Sequence, residues 1–133
     1  MFSLTDNSAS TPHYVEVIPA NIVYEVFNDR GTGSHSDITV WRGDTSKNPG
    51  YFSLGDIAVD SFDQWAPPVF LVRAPGDELK PPVDYHHIWS DHGSGGHTDF
   101  SFWEPVPPSG YTCLGGVGQV GYNKPSTDLI RCI

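Results

Sequence analysis

Residues 29–37 read DRGTGSHSD and residues 91–99 read DHGSGGHTD. The pattern Asp-x-Gly-x-Gly-x-His-x-Asp thus occurs twice in 133 residues, each time with a tryptophan, Trp41 or Trp103, four positions after its second aspartate. These residue types suit a turn and a binding loop alike. A carboxylate at a strand end, Asp29 or Asp91, can accept two or three backbone N–H groups while the glycines supply positive φ. Asp37 and Asp99 can hold the other end of each loop. Folding alone therefore explains the acids and glycines, but it does not explain His35 and His97. A loop that brings carboxylate, backbone N–H, imidazole and indole into one patch has the groups a sugar needs. Carboxylate and amide orient hydroxyls, and an aromatic ring covers the apolar C–H face. On that chemistry the ligand-binding candidates are Asp29, Gly31, Gly33, His35 and Asp37 in the first loop, and Asp91, Gly93, Gly95, His97 and Asp99 in the second.

Other chemistries fit less well. Two acids per loop at this spacing fall short of a calcium cage, so calcium is a minor alternative and no cofactor is expected. His86, His87, His92 and His97 lie close in sequence. As strand neighbours, however, 86 and 87 point to opposite faces, and the first copy has Tyr24, Glu25 and Arg30 in place of the first three, which argues against zinc. Neither copy of the Asp-His pair has a nucleophile in reach, and no nucleophile elbow, phosphate-cradling loop or metalloprotease helix is present, so no enzyme is expected. A repeated shallow loop suits multivalent binding, in which weak sites add through effective concentration.

The elements that must position these loops are strands. Helical periodicity is nearly absent, and alternating β-branched and aromatic runs recur over 14–18, 22–27, 38–41, 51–59, 69–73, 85–89, 100–103, 111–120 and 129–132. Trp41 and Trp103 stand at alternating strand positions and are expected in the core, which leaves Trp65, Tyr51 and Tyr111 as stacking candidates. The repeat outruns the loop. Residues 24–41 lie over 86–103, GYFSLGDIAV from Gly50 lies over GYTCLGGVGQ from Gly110, and LVRA ending at Ala74 lies over LIRC ending at Cys132. Repeat one (about 22–74), a Pro-rich link (75–84) and repeat two (about 85–133) make a single domain in which each unit buries its apolar face against the other. The expected fold is all-β, an internally duplicated pseudo-twofold antiparallel β-sandwich or β-prism.

The run IWSDHGSGGHTDFSFWEPVPPSGYTCLGGV, residues 88–117, resembles the signature of the vacuolar protein sorting-associated protein sixty-two family of fungi and plants. That signature is roughly W-x-D-x-G-S-G, then D-x-S-x-W-x-P-x-P-x-G-Y-x-x-L-G-x-V. The W-x-P and GY..LG grammar is also similar to single repeats of the adaptor-binding region in vacuolar sorting lipid-transfer proteins. Residues 84–133 match closely. WRGDTSKNPGY, residues 41–51, keeps Trp41, Gly50 and Tyr51 but lacks the Pro-x-Pro. The resemblance covers most of the chain after about residue 21 and implies a non-catalytic recognition module.

Composition narrows the partners. A net charge of -9 leaves no basic stripe for phosphates, so nucleic acid and anionic membrane are not expected partners. No segment approaches the length of a membrane span, and the N-terminal residues lack the pattern of a signal peptide, so a cytosolic protein is expected, with secretion by another route left open. Cys113 and Cys132 are either bridged or merely buried. The functional expectation is a lectin binding glycan or glycoprotein through both loops, possible as a homodimer. The alternatives are an adaptor module for a short extended, Pro-containing peptide and a targeting or toxin protein of a defence system.

Overall fold

The computed structural model describes residues 13–30, 38–60, 62, 67–91 and 99–133. The strands there are β1 (Glu16–Pro19), β2 (Val23–Asn28), β3 (Thr39–Gly43), β4 (Phe52–Ser53), β5 (Ile57–Val59), β6 (Phe70–Arg73), β7 (Asp84–Ser90), β8 (Phe100–Val106) and β9 (Val117–Val120), with one 3-10 turn at Thr45–Lys47. They form three antiparallel sheets of three strands, ordered β2-β3-β5, β7-β8-β9 and β1-β6-β4. The fold is all-β, as the alternation of the sequence requires.

The first two sheets are copies in order and register. Val40 pairs with Ala58 as Phe102 pairs with Gly118, and Trp41 pairs with Ile57 as Trp103 pairs with Val117. Each copy carries a bulge at the same place, between Glu25 and Phe27 and between His87 and Trp89. Such a bulge bends the strand and re-aims the side chains beyond it. The turns that follow match too. Gly50 and Gly110 both adopt positive φ (85° and 84°), and the N–H groups of Tyr51 and Tyr111 donate to Asn48 and Pro108. Where the halves meet, Asp56 bridges its own counterpart, Gly116, through an N–H···O=C bond of 2.9 Å. Residues meeting their own equivalents is what a twofold axis produces. There the backbones approach so closely that a Cβ on Gly55 would stand 2.7 Å from Gly115 Cα, so glycine at both positions is a packing requirement.

The third sheet draws on both halves, because Ser53 also bridges Ile130 and Lys80 bridges Cys132. Three expected strands are shorter than the sequence suggests. The 51–59 run turns at Leu54–Asp56, the 111–120 run is regular only over β9, and 129–132 contributes isolated bridges. Turn glycines interrupt the first two, and β-rich composition outvoted them in the sequence. The cysteines are bridged, Cys113 to Cys132. Ser53 and Ala74 stand at the matching positions of the first repeat. Trp41 and Trp103 are buried, as are Tyr85, Val117 and Ile130 around Trp103 and Phe27, Val40 and Phe100 in a second cluster.

Candidate ligand-binding site

The necks of both nine-residue loops are built alike. At the first, Asp29 N–H donates to the Ile38 carbonyl (3.0 Å) and Ile38 N–H returns a bond to Asp29 Oδ1 (2.9 Å). At the second, Asp91 N–H donates to the Phe100 carbonyl (3.1 Å) and Phe100 N–H donates to Asp91 Oδ1 (3.0 Å). Both carboxylates are buried, so each closes its loop by satisfying an otherwise orphaned N–H. The second neck has an extra donor: Tyr122 Oη–H gives Asp91 Oδ1 a bond of 2.8 Å. Desolvation, and then that hydrogen bond, push the Tyr122 pKa up to about 12. In the first repeat the matching residue is Phe62, which cannot donate and instead lies under the Arg30 guanidinium at 4.3 Å. Asp99 is exposed, and its carbonyl accepts Gly121 N–H (2.8 Å). The other candidates, Gly31, Gly33, His35, Asp37, Gly93, Gly95 and His97, and the stacking candidate Trp65, lie outside the described residues.

Between the necks the twofold breaks down. The halves meet along two equivalent seams, one between β2 and β9 and one between β7 and β5. In the first, Phe27 is 5% exposed and lies over Gly118, where a Cβ would stand 2.6 Å from Phe27 Cε2. Phe27 also stacks on Phe100 at 4.3 Å between ring centroids. A buried clamp holds this seam shut. Arg42 Nε and Nη2 donate to the two oxygens of Asp56 (2.8 and 2.9 Å), Nη2 also donates to the Gly118 carbonyl (2.7 Å), and Gly118 N–H donates to Asp56 Oδ2 (2.7 Å). Burial opposes the Arg42 charge, but the bidentate bond to Asp56 outweighs it and raises the pKa further above neutrality.

The second seam has none of these parts. The counterparts of Phe27, Gly118, Arg42 and Asp56 are Trp89, Ala58, Glu104 and Gly116. A larger ring and an added methyl must share the same space, and no clamp draws the strands together. The seam stays open as a cavity of about 440 Å³. Phe27, Ile38, Val40 and Ala58 line it from the first repeat, and Ile88, Trp89, Phe100 and Phe102 from the second, with Asp29 as its polar member. Trp89 is 48% exposed, and its ring sits 5.2 Å from that of Phe100. A second cavity of about 640 Å³ shares Ile88 and Phe102 and continues past Glu104, Pro105, Tyr111 and Leu114.

The structure therefore brings Asp29 to a shared apolar site flanked by both loop necks. Trp89 is the aromatic that sequence reasoning missed. The repeat sets Trp89 over Phe27 and Gly118 over Ala58, and that second pair is the signal that the two rings cannot pack alike. Tyr51 is committed elsewhere, donating to Glu16 (2.6 Å) beneath Arg73. Tyr111 donates to the Asp77 carbonyl, lies under Lys80 and lines the second cavity. Among the described residues, no three His, Cys, Asp or Glu side chains gather in metal-binding geometry.

The model of the family "Vacuolar protein sorting-associated protein 62" matches residues 15–133. Among curated proteins none matches the chain. The crystal structure of GNIP1Aa from Chromobacterium piscinae is similar, with a TM-score of 0.75 and 27% sequence identity. The match covers 90% of this chain and 24% of that one, so the chain spans about a quarter of the length of GNIP1Aa.

Proposed function

The chain belongs to the vacuolar protein sorting-associated protein 62 family, and from that premise we propose a non-enzymatic recognition protein that binds carbohydrate in the open seam between its halves. The observation that carries this reading is Trp89, a half-exposed indole on the wall of a cavity between two loop necks. An indole face held there by Phe100 offers the apolar platform that a pyranose ring stacks on. The non-enzymatic part is supported by the use of Asp29 and Asp91, whose carboxylates accept backbone N–H bonds and are engaged in closing the loops.

A glycan array probed with and without chelator tests this. Retention is expected to be insensitive to chelator. In Trp89→Ala it should fall at least about tenfold, equivalent to ~1.4 kcal/mol, with little change in melting temperature. Retention unaffected by that substitution sinks the reading. A peptide-binding module is the second reading. It is favoured by the second cavity, which shares Ile88 and Phe102 with the open seam and is lined by Pro105, Tyr111 and Leu114, and binding of extended peptides with no glycan retained would establish it. The Cys113–Cys132 bridge supports residence in an oxidising compartment in place of the cytosol expected from sequence.

A further inference from the structure

We propose that the open seam selects saccharides by a methyl group in the place of a hydroxymethyl, that of a 6-deoxyhexose. This rests on the carbohydrate reading above and names the ligand class within it. The cavity is large enough for a monosaccharide with part of its neighbour, about 440 Å³. Among the described residues its walls carry almost no hydrogen-bonding groups: Ile38, Ala58, Ile88, Trp89 and Phe102 present carbon, and the one polar side chain among them, Asp29, is 5% exposed with Oδ1 already accepting the Ile38 N–H.

A hydroxymethyl group pushed into such a pocket loses its water partners and finds no replacements, which weakens binding by roughly fivefold to a hundredfold. A methyl in the same place leaves water favourably and strengthens binding about fourfold. The indole of Trp89 takes the ring face, and the remaining hydroxyls point out of the open mouth to solvent. The two effects act in the same direction, so the difference between a methyl-bearing sugar and its hydroxylated parent is expected to be about tenfold or more. The opposite seam offers no such pocket, because Phe27 fills the equivalent space over Gly118.

Isothermal titration with two matched pairs tests this: L-fucose against L-galactose, and L-rhamnose against L-mannose. Each is titrated into the full chain, into Ala58→Leu, whose longer side chain intrudes on the cavity, and into Trp89→Ala. The expected result is a preference of about tenfold for the methyl-bearing member of at least one pair. That preference should be lost in Ala58→Leu at unchanged melting temperature. Equal affinity within both pairs, with binding lost in Trp89→Ala, overturns the inference and leaves the carbohydrate reading standing. A preference that persists in Ala58→Leu overturns the placement. If no sugar binds the full chain, the inference and the carbohydrate reading fail together. Should Ala58→Leu not fold, the preference within each pair on the unmodified chain and the response of Trp89→Ala decide the matter.

Discussion

The two seams of this protein occupy equivalent positions, yet one is core and the other is a cavity. At the closed seam, Phe27 packs over a residue with no side chain, and Arg42 and Asp56 tie that residue down from both its N–H and its carbonyl. At the open seam, Trp89 faces Ala58, and Glu104 and Gly116 supply no clamp. Duplication first gives both seams the same strands, register and bulges. Four positions then decide which seam packs shut and which stays open as a cavity. A strict twofold would close both seams or open both, whereas the asymmetric pair closes one and leaves the other open.

The clamp provides the largest contrast. Arg42 and Asp56 are nearly dry, with side-chain exposures of 13% and 0%. Removing one partner of a buried ion pair leaves the other charge without compensation and typically costs about 3–5 kcal/mol. Arg42→Met is therefore expected to lower stability by about that much in chemical denaturation. Glu104→Met, the equivalent change on the exposed side of the open seam, should stay within about 0.5 kcal/mol. Equal losses at the two positions would show that the seams are held in the same way.

Packing gives the next effect. Gly118→Ala places a Cβ 2.6 Å from Phe27 Cε2 and 3.1 Å from Val40 Cγ1, both buried side chains with little room to retreat. Overpacking of this kind costs about 1–3 kcal/mol. The reverse exchange at the open seam, Ala58→Gly, should cost only the ~0.5–1 kcal/mol of added backbone freedom. A further readout distinguishes the mechanism. If Gly118→Ala drives Phe27 outward as Trp89 is now, binding of a hydrophobic dye should rise, and it should not rise in Ala58→Gly.

Much of this architecture was legible in the sequence because strand alternation and an internal repeat are properties of residue type and spacing. The all-β class, the burial of Trp41 and Trp103, and the structural role open to Asp29 and Asp91 all follow from that pattern. The open seam was not legible, because it depends on how residues distant in sequence share one volume. Ala58 and Gly118 look interchangeable in a string, and so do Phe27 and Trp89. Only the pairing of methyl with indole on one side, and of hydrogen with phenyl on the other, reveals the difference. The clamp was hidden similarly: Arg42 faces Glu104 in the repeat alignment, and its partner Asp56 lies opposite Gly118 across the halves. The indoles carry the same lesson. Trp103 Nε1 donates to Ser101 Oγ (2.8 Å), while Trp41 Nε1, also buried, has no hydrogen-bond partner among the described residues.

The smallest expected effect distinguishes the two loop necks. Both are closed by an aspartate that accepts the N–H nine residues on, but among the described residues only the second neck has a phenol, Tyr122, donating to that aspartate. The folded-state pKa of Tyr122 is pushed up to about 12, against about 10 for an unfolded tyrosine. A raised folded pKa means that the native state prefers the protonated form. The contribution is therefore present in full below about pH 10 and is lost as pH rises through about 12. Ionisation would place a phenolate against the Asp91 carboxylate, so the second neck should loosen in alkali while the first, with Phe62 in the matching place, has no such group to titrate. Tyr85, buried and donating to the Ser126 carbonyl (2.9 Å), has its pKa pushed up to about 12 as well and adds an alkaline sensitivity of its own. The difference between the wild type and Tyr122→Phe isolates the neck from this background. Melting temperatures recorded from pH 8 to pH 12 should fall less steeply above pH 10 in Tyr122→Phe than in the wild type, and Trp89 fluorescence should report the loosening because its strand leads into the second neck. Identical alkaline profiles for the two proteins would mean that the phenol contributes nothing to the second neck and that the two loops are closed by their aspartates alone.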